Sequence, residues 1–210
     1  MIAEIITVLL SIYLIINIIT FFPYSRYFYK NVFYLPQKDY LITVDDGPTK
    51  YTEQMIKLLQ KHDQRAIFFL NGEKLSGFEE TVKKIEKEGH EIGNHSYKHY
   101  FFNPLLSSVI INNLKINEEK LKKYTDRINY VRTPHGYQTP GLMKYLKSNN
   151  KKFVYWDTIM LDFIPFIPLF LLKFQVNRFI NKKGILCLHS NKKSVKILRY
   201  VLTRIGDDYE

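Results

Sequence analysis

From residue 40 onward, short apolar runs alternate with amphipathic stretches, and this alternation restricts the fold more than any other feature of the chain. Residues 40–44, 66–70, 90–94, 128–131, 152–155 and 184–188 read as strands, because each is a brief apolar run stopped by turn-forming residues. Residues 52–62, 78–88, 105–123, 140–148 and 194–204 read as helices, and Met55, Ile56, Leu58 and Leu59 form an apolar stripe at helical spacing. Strand–helix alternation at this spacing means a parallel sheet or a β/α barrel. In such folds chemistry collects at the C-terminal ends of the strands.

The 210 residues suffice for one domain with a full core once the distinct first 22 are set aside. Hydrophobic and charged fractions of 46% and 24% argue against a disordered chain. Cys187 is the only cysteine, which excludes an intrachain disulfide. A formal net charge of +11 attracts anionic partners in general. The lysines are scattered and no nucleic-acid motif accompanies them, so a solvated basic surface is expected and nucleic acid is not an expected partner.

Residues 2–22 are nearly all apolar, interrupted by Glu4 and Asn17. As a helix they would measure about 30 Å, the thickness of a hydrocarbon core. No basic start or small-residue exit marks a cleaved signal peptide, so an uncleaved transmembrane anchor is expected over residues 1–22, with a juxtamembrane linker over 23–39. Tyr24, Tyr27, Phe28 and Tyr29 suit an interfacial belt. Arg26, Lys30 and Lys38 follow the segment and no Lys or Arg precedes it, which favours the cytoplasmic face for the remainder of a single-pass membrane protein.

Polar clusters fall at the strand ends. Asp45-Asp46-Gly47-Pro48 offers adjacent carboxylates that point apart, one able to bind a metal while the other stays a base; an ordinary turn has the same composition. His95 and His99 stand at i and i+4, on one face of a helical turn, a spacing that suits a shared metal. Two histidines and an aspartate form a three-ligand site with an open position, as in hydrolytic zinc sites. Arg132 can hold a carboxylate, and Pro134 and Gly136 shape a loop whose backbone N–H groups can face an oxyanion. His189 ends an apolar strand, a position where an acid or base is useful.

In order and spacing, this set resembles the polysaccharide deacetylases of the NodB-homology class, carbohydrate esterase family four. The resemblance covers residues 40–205, taken as one deacetylase domain. Thr43-Val44-Asp45-Asp46-Gly47-Pro48 matches T-F-D-D-G-P; His95, Ser96 and His99 match H-S/T-x-x-H; Arg132, Pro134 and Gly136 match R-x-P-x-G. In L-x-H, Cys187 replaces the leucine and His189 is kept. The fourth motif departs: Phe163 stands for a tryptophan and Ile159 for a frequent aspartate, while Asp162 is retained.

The resemblance implies an α/β fold, a distorted (β/α) barrel, here with one N-terminal transmembrane helix. It implies a metal-dependent carbohydrate N-deacetylase acting on an N-acetylated glycan or a lipid-linked amino sugar. Asp46, His95 and His99 would hold one divalent metal, Zn²⁺ by expectation. Asp45 would be the general base, oriented by Arg132, and His189 the general acid, tuned by Asp162 or, failing that, Asp157. Backbone near His135, with Pro134 and Gly136, would hold the oxyanion, and Phe163 would line the substrate site.

Residues 163–174 read either as a helix beginning near Pro168 or as a membrane-dipping lip that would suit a lipid-linked substrate. Two other classes share parts of the pattern. One is a non-catalytic, membrane-tethered glycan binder, consistent with the altered fourth motif and Cys187. The other is a nonheme iron oxygenase, which shares the two-histidine, one-carboxylate set.

Overall fold

The computed structural model describes residues 2–21, 29–36, 39–100 and 106–209. The expected interfacial residues Tyr24, Arg26, Tyr27, Phe28 and Lys38, and the first residue of the helix expected over 105–123, lie outside these ranges. A helix α1 (Ile2–Phe21) precedes an alternating succession of strands and helices. These are β1 (Tyr40–Gly47), α2 (Thr52–Lys61), β2 (Ala66–Leu70), α3 (Glu79–Lys87), β3 (Glu91–Asn94), α4 (Ser107–Leu121) and β4 (Tyr130–Val131). Next come α5 (Pro140–Ser148), β5 (Lys152–Phe153), β6 (Thr158–Ile159), α6 (Leu169–Lys182), β7 (Gly184–His189) and α7 (Lys192–Tyr209).

All strand pairs are parallel, in the order β5-β4-β3-β2-β1-β7-β6. Strands β5 and β6 are edges and do not pair with each other, so the barrel is open. Segment 29–36 touches the β5 edge through a parallel bridge between Phe33 and Phe153.

Alternation along the strands sorts side chains by face. Ile42 and Val44 of β1, Phe68 and Leu70 of β2, and Leu186 and Leu188 of β7 enter the core shared with Met55, Ile56 and Leu59 of α2 and Ile197, Leu198 and Val201 of α7. Their neighbours Thr43, Asp45, Ile67, Phe69, Cys187 and His189 face the other way, into the concave side of the sheet. The β1–β7 register pairs Thr43 with Cys187 and Asp45 with His189, which sets the two candidate catalytic side chains beside each other.

Several expectations are corrected. Among the described residues no helix is long and apolar enough to cross a membrane, so the transmembrane anchor over residues 1–22 and the single-pass localisation are withdrawn. His95 and His99 do not share a helical turn; they sit in an irregular loop after β3, where Ser96 has φ 70°. The short strand β6 escapes pattern reading because Thr158–Ile159 is no apolar run.

Residues 163–174 contain a helix start. After a 3₁₀ turn at Leu161–Phe163, α6 runs from Leu169 with Pro168 at its N-cap. Leu172, Val176, Phe179 and Ile180 are buried, while Phe163, Phe166, Phe170 and Phe174 are exposed.

Candidate active site

Three ligand-type side chains meet at the C-terminal ends of β1 and β3. Asp46 Oδ1 lies 3.3 Å from His95 Nε2 and 3.5 Å from His99 Nε2. Metal–ligand bonds of about 2.0–2.1 Å in a tetrahedral array put donors about 3.4 Å apart, so the spacing fits a divalent cation. Asp46 Oδ1 is a buried acceptor without a hydrogen-bond donor among the described residues, an orphan that a cation would satisfy. His95 Nδ1 donates to the Arg132 carbonyl at 2.7 Å, which leaves Nε2 as the nitrogen facing Asp46.

Backbone and burial prepare this set. Asp46 has φ 64°, a left-handed conformation that turns its side chain away from that of Asp45. Lys74 Nζ donates to the Asp46 carbonyl at 3.0 Å. Burial pushes the His99 pKa down to about 4 despite the Asp46 charge, so the imidazole is neutral and its lone pair is available at ordinary pH. Burial works against an ionised Asp46, but the facing His95 imidazole, with His99 and His189 nearby, holds its pKa well below the usual carboxylate range. The loop carrying both histidines is pinned from α4: Asn113 Oδ1 accepts from the Lys98 N–H at 3.0 Å, and its Nδ2 donates to the Lys98 carbonyl at 2.9 Å.

Asp45 points into the concave face. Arg132 Nη1 donates to Asp45 Oδ1 and to Thr43 Oγ1, each at 2.7 Å, and Nε donates to the Val154 carbonyl at 2.8 Å. The guanidinium is fully buried, 4.4 Å from the Phe69 ring centroid and 5.6 Å from that of Trp156. Cys187 Sγ donates to Asp45 Oδ2 at 3.3 Å, and burial, with the Asp45 charge, pushes the thiol pKa well up, so the proton stays on sulfur.

His189 is held by Asp162: Nδ1 lies 2.6 Å from Oδ1, and the His189 backbone N–H donates to Oδ2 at 2.9 Å. Ser194 Oγ donates to the same Oδ2. Burial alone would lower the His189 pKa; the Asp162 bond and charge, with Asp45 and Asp46, outweigh it and raise the value. Phe163 packs edge-on against the imidazole at 4.8 Å. Asp157, the runner-up partner, is spent elsewhere, accepting from the Ile185 N–H at 2.9 Å.

The loop after β4 holds Pro134 and Gly136 buried in a 3₁₀ turn, with exposed His135 between them at φ 57°. A Cβ on Gly136 would meet Trp156 at 2.5 Å, so the indole requires glycine there. The His135 ring stands 4.8 Å from that of His99, and His135 Nε2 donates to the Tyr100 carbonyl at 3.0 Å.

Sequence reading missed Lys74, Asn113 and Ser194, which act through backbone or through a second side chain and carry no motif of their own. The whole arrangement offers a cation site, a buried carboxylate clamped by a guanidinium, and a histidine paired with a carboxylate. That chemistry fits hydrolysis of an uncharged acyl bond.

Comparisons with known proteins point the same way. A family described as polysaccharide deacetylase matches residues 34–154. A peptidoglycan-N-acetylglucosamine deacetylase of Bacillus cereus is 33% identical over 55% of this chain and 43% of its own length. The crystal structure of the Bc1960 peptidoglycan N-acetylglucosamine deacetylase superposes with a TM-score of 0.78 at 25% identity, over 89% of this chain and 92% of that one. BA3943, a CE4 family pseudoenzyme from Bacillus anthracis, shares the fold, with a TM-score of 0.73 at 23% identity over 82% and 62% of the two chains. The chain spans about half the length of the curated relatives it matches.

Proposed function

Since this chain belongs to the polysaccharide deacetylase family, we propose that it is a metal-dependent hydrolase that removes N-acetyl groups from an amino-sugar glycan. The observation that carries the reading is the convergence of Asp46 Oδ1 on His95 and His99, beside an Arg132-clamped Asp45 that stands in register with His189.

Asp46, His95 and His99 would hold the divalent cation, for which Zn²⁺ suits the nitrogen and oxygen donors. When bound, such a cation supplies Lewis-acid chemistry, polarising a carbonyl and making water more acidic. Asp45 takes the proton of the attacking water. Arg132 keeps that carboxylate aimed, because its own position is fixed by Val154 and Thr43. The His135 backbone N–H would serve the oxyanion, since Pro134 has no N–H and that of Gly136 donates to the Thr133 carbonyl at 2.9 Å.

His189, whose protonated form Asp162 favours, donates a proton to the departing nitrogen as the C–N bond breaks. An amine expelled as an anion is a poor leaving group, so the acid is as necessary as the base. The products are a free amino sugar and acetate. Phe163, beside His189, gives a sugar ring an apolar face.

The non-catalytic reading has a neighbour of the same fold that is described as a pseudoenzyme. Here the base, acid and cation ligands are all present, together with their supporting hydrogen bonds.

The test is elemental analysis of the purified chain paired with acetate release from N-acetylglucosamine oligosaccharides. About one divalent metal per chain, lost in His95→Ala and His99→Ala together with turnover, is the expected result. Unchanged metal content in both variants would remove the assignment of the site. Full metal occupancy with no acetate from any N-acetylated glycan would support the binding reading instead.

A further inference from the structure

The face of the molecule next to His189 carries two features that the reaction does not use. One is an apolar stripe. Phe163 is half exposed against His189, and Phe166, Phe170 and Phe174 continue away from it at four-residue spacing, 82%, 68% and 61% exposed. The stripe is built into the fold. Lys193 Nζ donates to the carbonyls of Ile164, Pro165 and Ile167 at 2.8, 2.9 and 2.9 Å, and Leu172 and Val176 fasten α6 to the core. A helix that already buries one face gains no stability from phenylalanines on another, and a contiguous exposed apolar strip of this kind marks a binding surface.

The other feature is a groove of about 620 Å³ between α6 and α7, walled by Lys173, Lys192, Lys196 and Arg199 with Leu169 and Val195. It is lined from Gln54, near the start of α2, to Lys192, which begins α7 three residues after His189. No carboxylate lines the groove, and Lys192, Lys196 and Arg199 make no ion pair among the described residues. Cations gathered in a concave wall without a partner favour an anionic ligand. Leu169 and Lys173 of the groove are followed directly by Phe170 and Phe174 of the stripe, about 100° further round the helix.

We propose that this face receives the carrier of the substrate, and that the carrier is a long apolar chain joined to the amino sugar through phosphate. The sugar lies at His189, the phosphate in the basic groove and the chain along the phenylalanines. The placement of the sugar rests on the deacetylase reading; that of the carrier rests on the surface itself. A neutral polymer uses neither feature, and a soluble anionic glycan uses the groove and leaves the stripe bare.

The experiment compares the full chain on three N-acetylglucosamine substrates: a polyprenyl-phosphate-linked sugar in detergent, the soluble sugar phosphate, and a neutral oligosaccharide. Phe166→Ser with Phe170→Ser should raise KM for the lipid-linked arm tenfold or more and leave the other two unchanged. Lys196→Glu with Arg199→Glu should raise KM for both phosphate-bearing arms and spare the neutral one. Thermal melts of both double variants within a few degrees of wild type confirm that the surface alone has changed. Farnesyl phosphate binding, measured directly by calorimetry on the same proteins, separates the two levels of the account. If farnesyl phosphate binds through these residues but no substrate is turned over, the deacetylase reading fails and the carrier surface stands. If the neutral oligosaccharide is hydrolysed and neither double variant alters the lipid-linked arm or farnesyl phosphate binding, the carrier proposal is overturned. A groove effect without a stripe effect also overturns it, in favour of a soluble anionic glycan.

Discussion

Asp162 Oδ1 lies 2.6 Å from His189 Nδ1, and the same carboxylate accepts the His189 backbone N–H through Oδ2. One residue therefore fixes the orientation and the proton content of the candidate acid. Asp162→Asn keeps the shape and removes the charge. The His189 pKa, raised in the folded protein, should fall, because burial then acts with less opposition. The alkaline limb of the kcat/KM profile should move to lower pH, and an unmoved limb would show that His189 does not supply the proton. A raised folded pKa contributes stability that is complete below the unfolded value, about 6.5, and is lost as pH rises through the folded value. In Asp162→Asn that loss with rising pH should shrink.

Arg132 is fully buried and its charge is matched by Asp45. Removing one partner of such a pair strands the other, at a cost of about 3–5 kcal/mol. Arg132→Met should show a loss of that order in a denaturant titration. Arg132→Lys keeps the charge but cannot reach Asp45, Thr43 and the Val154 carbonyl together, so turnover should remain strongly reduced. Full activity in Arg132→Lys would show that the fork geometry is dispensable.

Asn113 grips both backbone groups of Lys98, between the two candidate metal-ligating histidines. Asn113→Ala should weaken metal binding, in the range of about 10–100-fold seen when outer supports of ligands are removed. Competition with a chromogenic chelator measures this directly. Wild-type affinity would mean that the loop holds its shape without Asn113.

Cys187 is buried with its thiol on Asp45 Oδ2. A buried thiol with a raised pKa is a poor nucleophile, so a disulfide reagent should label the native protein only at the rate of unfolding. Rapid labelling under native conditions would contradict this burial. Cys187→Leu, which restores the residue found in the motif it resembles, removes a donor from the candidate base and should lower kcat with little change in KM.

The strand–helix alternation was legible because buried parallel strands are apolar runs, and Ala66–Leu70, buried throughout, was read residue for residue. Strands β4, β5 and β6 are two residues each and leave little periodic signal. Asp45, Asp46, His95, His99, Arg132 and His189 were visible as polar residues at the ends of apolar runs, and the fold brings them together. The histidine loop was misread as a helical turn because i, i+4 spacing is equally compatible with a turn whose Ser96 adopts positive φ. The preference for Asp162 over Asp157 came from the retained motif residue alone; Asp157 precedes β6 and Asp162 follows it, and the packing against β7 sets Asp162 on His189. The apolar length of residues 2–22 read as a span, which the described part of α1 does not support.

The most direct test of the central claim is acetate release from an N-acetylglucosamine oligosaccharide by metal-stripped protein, before and after one equivalent of Zn²⁺, in wild type and Asp45→Asn. The account predicts no release without metal, recovery in wild type on addition, and a loss of about 10²–10⁴-fold in Asp45→Asn with the metal still bound. Release that is independent of metal, or undiminished in Asp45→Asn, would contradict it.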